Sequence, residues 1–287
     1  MRKIIVVYLD VNGTIMAADL AQGKTAEIAI AHELAKKTRG IWHHELPEMR
    51  YQDYVEHHLI PGSEANAAIK KQRRDLYLRF LAMLEESGHP LLEQTQATYH
   101  QLVTILHTQQ SPLFASFWTL LQWAQQSPYD IRFVFRTFGH DLPHIMTLLE
   151  HQDYKIQNLF CYENDQLFRG YFSDTLFIKQ EVCPRVEAIF SEQFNAVKDD
   201  WQRWNRHGET EAYAKPFHNF PEVISIFFDD NALEKQIIAP IGFTSENGTP
   251  LTTVDLIERG YIVPVNPLKA MIQPEFFVKK IENLLLK

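Results

Sequence analysis

The chain has 287 residues, of which 45% are hydrophobic and 22% charged, and its 36 acidic and 28 basic side chains give a net charge of −8. This composition is typical of a globular protein and excludes a mainly disordered chain, a collagen and a coiled coil. The length predicts one large domain or a core with a substantial insertion, and the negative charge argues against nucleic acid as the main partner.

The cysteines and the apolar runs exclude several further classes. Cys161 and Cys183 are too few for a disulfide framework or, alone, for a structural zinc site. An apolar run at 4–9 resembles the start of a signal peptide, but Asp10 ends it too early. Because no stretch approaches the roughly 18 apolar residues of a membrane-spanning helix, we expect no transmembrane segment and a soluble protein, cytoplasmic where it is made.

Continuously apolar, β-branched runs mark the predicted strands. Such a run at 4–9 predicts a strand buried on both faces, and the pattern recurs at 131–135, 223–228, 261–263 and, more weakly, at 156–161. Helical segments fall between most of them, for example at 142–151, where Pro143 lies in the first turn. Strands that alternate with helices predict an α/β fold with a Rossmann-like, doubly wound parallel sheet.

The long segment between the first and second strands is different, because most of it has the pattern of amphipathic helices. The clearest stretches are 65–87, 94–108 and 113–126. We therefore predict an all-helical insertion at 16–127, set into an α/β core formed by 1–15 and 128–287.

Polar groups with catalytic chemistry follow the predicted strands. The segment Asp-Val-Asn-Gly-Thr at 10–14 follows the first strand, Thr137 follows the second, and Asp229 and Asp230 end the strand at 223–228, with Lys215 in a loop before it. Open α/β sheets bind ligands at the carboxyl ends of their strands. The pattern predicts a nucleophilic carboxylate, a hydroxyl and N–H groups for phosphate, a cation and a second carboxylate cluster at one edge.

This order of residues resembles the haloacid dehalogenase superfamily, with matches at 4–14, 131–139, 215–216 and 223–231 and the helical insertion where that family places its first type of cap. The resemblance implies a phosphatase in which Asp10 forms an aspartyl-phosphate, Thr137 binds the phosphate and Lys215 neutralises charge. Lys179 and Lys198 are alternatives to Lys215.

The same resemblance implies a Mg²⁺ site. Asp10, the backbone carbonyl of Asn12, Asp229 and Asp230 would hold the ion, and carboxylates suit this hard cation. Asp230 aligns better with the family's metal-binding position, and Asp229 is the candidate for a supporting group.

Asn12 departs from the family pattern, which has a second aspartate two residues after the nucleophile as general acid and base. An amide cannot protonate a leaving group or take a proton from water. A phenol such as tyrosine, with a pKa of about 10, leaves as an anion more readily than an alkanol. Asn12 therefore favours aryl phosphates as substrates, and the base that activates water is open, a histidine of the cap being one candidate.

The Asp-x-Asn-Gly-Thr segment is also similar to that of aspartate-based phosphotyrosine phosphatases, which intracellular bacterial pathogens use as effectors. This second resemblance implies phosphotyrosine proteins as substrates and delivery into a host cell. Two alternatives stay open: a small-metabolite phosphatase that acts on sugar or nucleotide phosphates, and a catalytically decayed module that binds a phosphorylated ligand.

Several other motifs have an ordinary structural interpretation. Residues 18–25 match a relaxed phosphate-binding P-loop but follow no buried strand. The histidine pairs at 43–44 and 57–58 lack the spacing of a metal site, and the basic run at 70–74 is expected to be a solvated helix face. We expect Trp201 and Trp204 to pack in the core, with a pocket for a planar substrate as the alternative.

Overall fold

The computed structural model describes residues 2–17, 25–62, 66–108 and 111–287. The chain divides into two compact units, a larger one formed by Met1–Met16 and Leu113–Lys287 and a smaller one formed by Ala17–Pro112.

Strands are numbered in chain order. They are β1 (Ile4–Asp10), β2 (Arg39–Gly40), β3 (Met49–Arg50), β4 (Asp130–Thr137), β5 (Asn158–Glu163), β6 (Gln166–Ser173), β7 (Leu176–Val182), β8 (Phe194–Lys198), β9 (Lys215–His218), β10 (Val223–Asp229), β11 (Ile238–Ile241) and β12 (Ile262–Pro264).

Helices are numbered in the same way. They are α1 (Ala26–Lys37), α2 (Tyr51–Tyr54), α3 (Ala67–Leu78), α4 (Phe80–Glu86), α5 (Leu92–Thr108), α6 (Ala115–Gln126), α7 (Leu142–Glu150), α8 (Trp201–Arg206), α9 (Thr253–Arg259), α10 (Pro267–Ile272) and α11 (Phe276–Leu285). A π-helical turn, Val55–Leu59, continues α2, and 3-10 turns lie at Val186–Phe190 and Glu211–Tyr213.

The larger unit contains an eight-stranded, mostly parallel sheet in the order β12-β10-β1-β4-β8-β5-β6-β7. Neighbouring strands from β12 to β5 are parallel, and β6 and β7 add an antiparallel extension. Strands β9 and β11 form a separate parallel pair. The predicted α/β class with a parallel central sheet is confirmed, whereas the extension, the β9–β11 pair and the insertion of β8 between β4 and β5 were not predicted.

The central strands are continuously apolar because both of their faces are covered. Val6, Val7 and Leu9 of β1 are fully buried, and so are Phe133 and Val134 of β4. The parallel register pairs Leu9 with Phe135 on one side and with Phe228 on the other. The carboxyl ends of β1, β4 and β10 are therefore level, and the residues that follow these strands share one edge of the sheet.

Helix α6 belongs to the larger unit, which places the boundary of the insertion earlier than the predicted residue 127. It packs against α10 and α11, and the Trp123 indole N–H donates to Glu282 Oε1 at 3.2 Å. Its apolar face, with Phe117, Leu120 and Leu121 buried, fits a core of either unit equally well, so the sequence pattern alone could not assign it.

The smaller unit is mostly helical and has a core of its own. That core contains Ala35, Tyr51, Val55, Tyr77, Phe80 and Leu84. The unit is not all-helical as predicted, because β2 and β3 form a short antiparallel ribbon. Arg73 also departs from the expected solvated face: it is buried, and its guanidinium donates to the carbonyls of Ile60 and Gly62. Within the described parts of both units, no helix has the length and apolarity needed to cross a bilayer.

Candidate active site

A buried lysine joins two aspartates at the carboxyl edge of the sheet. Asp10 is the last residue of β1, Asp229 the last of β10, and Lys215 the first of β9 rather than part of a loop. Lys215 Nζ donates to Asp10 Oδ1 at 2.6 Å and to Asp229 Oδ2 at 2.8 Å. Lys215 and Asp229 are almost fully buried, and Asp10 is 8% exposed. The three predicted residues therefore form one connected charged group.

The surroundings shift the ionisation of this group. Burial raises the pKa of Asp10 to about 7, although Lys215 acts to lower it, and the charges of Asp229 and Asp141 add to the rise. Burial acts to lower the pKa of Lys215, but Asp10, Asp229 and Asp199 outweigh that effect and raise it above the usual lysine value. Lys215 is thus a permanent cation beside a carboxyl group that ionises near neutral pH.

Asp141 connects Asn12 with Thr137. Asn12 Nδ2 donates to Asp141 Oδ2 at 2.8 Å, and Thr137 Oγ1 donates to the same oxygen at 3.3 Å. The Gly139 N–H donates to Thr137 Oγ1 at 2.9 Å. A Cβ at Gly139 would lie 2.4 Å from Asp141 Oδ2, so glycine makes room for this carboxylate. Thr137 therefore lies at the predicted edge, but its hydroxyl is shared with an aspartate that the sequence analysis did not identify.

Asp230 lies against the turn that follows β1. Its N–H donates to Thr14 Oγ1 at 3.1 Å, and Asn231 Nδ2 donates to its Oδ1 at 2.7 Å. Gly13 has φ of +75°, and a Cβ there would meet Asp230 Oδ2 at 2.5 Å. Glycine is thus required both by the backbone conformation and by the close approach of the carboxylate.

Arg136 and Asp199 form a second buried ion pair next to the site. Arg136, the residue before Thr137, donates to Asp199 through Nε at 3.0 Å and through a terminal nitrogen at 2.5 Å. It also donates to the carbonyl of Pro216 at 2.9 Å, next to Lys215. Both partners are almost fully buried. Arg136 therefore links β4 to the residue that follows β8 and to β9. These contacts fix the positions of its neighbour Thr137 and of Lys215, the neighbour of Pro216.

The donor set and its charge fit a Mg²⁺ ion. Among the described residues, this edge carries the carboxylates of Asp10, Asp141, Asp229 and Asp230. Lys215 bridges Asp10 and Asp229, Lys198 is level with Thr137 at the end of β8, and Arg136 is paired with Asp199. Both oxygens of Asp229 accept hydrogen bonds, from Lys215 and from the Asn231 N–H, whereas Asp230 is half-buried at the rim. Carboxylate oxygens of this kind match the ligands that Mg²⁺ prefers.

Most of the alternative candidates lie away from this edge, whereas Lys198 lies on it, level with Thr137. Lys179 is exposed and pairs with Glu163, and Lys198 ends β8. His43, His44 and Glu45 form an exposed group, and residues 18–24 of the P-loop match lie outside the described residues. Trp204 is buried and stacks on Phe138 with a 5.1 Å centroid distance, whereas Trp201 is exposed.

Comparison of the chain with protein-family models, with curated proteins and with solved structures found no significant match.

Proposed function

We propose that the protein is a Mg²⁺-dependent phosphomonoester hydrolase of the haloacid dehalogenase type, with Asp10 as the nucleophile. The observation that carries this proposal is the buried bridge from Lys215 to Asp10 and Asp229 at the carboxyl edge of a parallel sheet. A carboxylate that must receive a phosphoryl dianion needs a fixed positive charge beside it, and Lys215 supplies that charge without losing its proton.

In the first half of the reaction, the phosphoryl group moves from the substrate to Asp10, and each site residue has a separate role. Because Lys215 holds Oδ1 of Asp10, we assign Oδ2 as the oxygen that attacks phosphorus. The phosphorus–oxygen bond to the leaving group breaks as the bond to Asp10 forms, and the electron pair leaves with the alcohol oxygen. Thr137 binds a phosphoryl oxygen by turning its hydroxyl proton from Asp141 to the phosphate, and N–H groups of the turn after β4 bind further phosphoryl oxygens. Mg²⁺, held by Asp10, Asp229, Asp230 and the Asn12 carbonyl, would neutralise the charge that develops on the phosphoryl group.

Aryl phosphates are the favoured substrates because Asn12 has no proton to donate to the leaving oxygen. A phenolate leaves without one, whereas an alkoxide does not. Phosphotyrosine in proteins belongs to this class. Delivery into a host cell as an effector is part of the same proposal.

The proposal includes the fold of the haloacid dehalogenase superfamily, with the smaller unit as its cap. Residues 17–112 are inserted in the chain after the turn that follows β1, where the superfamily places its first type of cap.

A substrate panel tests the function. The full chain is assayed with p-nitrophenyl phosphate, a phosphotyrosine peptide, a phosphoserine peptide and glucose 6-phosphate, each with Mg²⁺ and with EDTA. We expect Mg²⁺-dependent hydrolysis of the aryl substrates, its loss in Asp10→Asn, and unchanged rates in Asp153→Asn, an exposed position beyond α7. Preference for glucose 6-phosphate would favour a metabolite phosphatase. Binding of the phosphopeptides without turnover would identify a non-catalytic module.

A further inference from the structure

Asp141 occupies the N-cap position of α7, where aspartate normally caps the helix, but its side chain contacts Asn12 and Thr137 instead. It is the N-cap residue of α7, and its side chain makes no capping hydrogen bond to that helix. Pro143 in the first turn also lacks an N–H for it to accept. The buried carboxylate instead accepts hydrogen bonds from Asn12 and Thr137. The hydrogen bonds from Asn12 and Thr137 therefore connect its side chain to the site.

The contact with Asp141 determines which atom Asn12 presents. The amide of Asn12 turns its nitrogen toward Asp141, whose Oδ2 accepts a hydrogen bond from it at 2.8 Å. The amide oxygen Oδ1 then faces away from Asp141. It is buried and has no hydrogen-bond partner among the described residues. Buried acceptors without a partner are uncommon in folded proteins, and a water or substrate group bound during the reaction would satisfy this one.

We propose that Asp141 is a positioning residue that fixes the Asn12 amide, so that Oδ1 accepts a hydrogen bond from the water that hydrolyses phosphorylated Asp10. This inference depends on the proposed function and names the group that serves the second half of the reaction. Amide side chains that orient an attacking water, without removing its proton, are known in nucleotide hydrolases.

The step balances without a protein base. The oxygen of the oriented water bonds to phosphorus, and the bond between phosphorus and Asp10 Oδ2 breaks with its electron pair returning to the carboxylate. One proton of the water passes to a phosphoryl oxygen, and dihydrogen phosphate leaves. Asn12 contributes orientation alone, and this is consistent with an amide at a position where the superfamily has a carboxylate.

The test measures the two half-reactions separately in the full chain with Mg²⁺ and p-nitrophenyl phosphate. Rapid mixing gives the rate of p-nitrophenol release in the first turnover, and acid quenching with labelled phosphate gives the amount of phosphorylated Asp10. In Asp141→Ala, we expect phosphoenzyme hydrolysis to slow by about 10- to 100-fold, since a misplaced reactant costs up to that much. The first turnover, which Asp141 affects only through Thr137, should slow much less. Phosphorylated Asp10 should then accumulate.

Two further variants make the interpretation specific. Asp141→Asn keeps an oxygen that can accept from Asn12 Nδ2 and should recover most of the lost rate. Asn12→Ala should show the same accumulation, and the double variant should be no worse than either single one, because both act through one hydrogen bond. Asp153→Asn is the matched control for a changed carboxylate beside α7 and should behave as the wild type.

The outcomes separate this inference from the proposed function. Equal slowing of both half-reactions in Asp141→Ala, or additive losses in the double variant, would overturn the positioning role and leave Asp10 as the nucleophile. Hydrolysis by the wild type with no trace of phosphorylated Asp10 would overturn both. Circular dichroism spectra of each variant establish that the fold is retained. If Asp141→Ala fails to fold, Asn12→Ala decides the question, because it removes the other partner of the same hydrogen bond: equal slowing of both half-reactions in that variant would overturn the inference.

Discussion

Replacing Lys215 by methionine should destabilise the protein far more than replacing an exposed lysine with the same ion-pair distance. Lys215 is 2.6 Å from Asp10 and 2.8 Å from Asp229, and all three groups are buried. At an effective dielectric constant near 20, each pair is worth about 6 kcal/mol before desolvation is counted. Removing one partner of a buried pair costs about 3–5 kcal/mol, because the remaining charge is left uncompensated.

The loss should depend on pH. Burial already raises the pKa of Asp10 to about 7, and loss of the neighbouring cation raises it further. The folded variant then binds a proton that the unfolded chain, with an aspartate pKa of about 3.9, does not bind at the same pH. Stability therefore rises as pH falls, and the deficit relative to wild type should be largest at pH 8 and smaller at pH 5.5.

Urea unfolding followed by circular dichroism measures this effect, in EDTA so that no metal compensates the carboxylates. Lys279→Met is the matched control, because Lys279 lies 2.8 Å from Glu275 but both side chains are largely exposed. We expect that control to unfold close to the wild-type midpoint. Equal losses in the two variants, or a Lys215→Met deficit that does not change between pH 8 and 5.5, would refute the electrostatic argument.

Four further predictions concern the site. Asp230→Ala should raise the Mg²⁺ concentration needed for half-maximal activity and weaken Mg²⁺ binding in calorimetry; unchanged binding would contradict its place among the ligands. Asn12→Asp should speed alkyl phosphates more than aryl phosphates, by up to the roughly 10²–10⁴-fold worth of general acid catalysis, and faster turnover of sugar phosphates by the wild type would remove the basis for this expectation. At limiting Mg²⁺, kcat/KM should rise with pH through about 7 as Asp10 loses its proton, and a flat profile from pH 5 to 8 would argue against an ionised Asp10 as the nucleophile. Gly13→Ala should cost about 1–2 kcal/mol from its left-handed conformation alone, measured by urea unfolding, and should also displace Asp230; a wild-type midpoint would show that the turn tolerates a Cβ.

The strands that could be predicted are those with continuous apolar runs. Strand β8 was not predicted because Asn195 interrupts the apolar pattern of its five residues. Asn195 is nevertheless fully buried, and its side chain donates to the carbonyl of Glu192 at 2.7 Å. The β5–β6 hairpin is marked in the sequence by the two residues of its turn. Asn164 and Asp165, the two residues between these strands, both have positive φ, and asparagine and aspartate favour that conformation.

Among the site residues, too, those that end a recognisable strand were predicted and the others were missed. Asp10, Thr137 and Asp229 could be located because each directly ends a readable strand. Asp141 escaped because an aspartate before Leu-Pro has the pattern of a helix cap, and the sequence does not show that its side chain turns away from α7. Arg136 escaped because its partner Asp199 follows a strand that was itself missed, so nothing in the local pattern distinguished a buried arginine from an exposed one.

The separation in sequence between Asp10 and its partners has a consequence for synthesis on the ribosome. Asp10 ends β1, but the lysine that pairs with it follows 205 residues later, and β1 gains its second neighbour only when β10 has been made. Until then β1, which is apolar except for Asp10 at its end, has one unpaired edge, and exposed edges of this kind promote aggregation. A nascent chain that stops before residue 215 therefore carries Asp10 without its counter-charge.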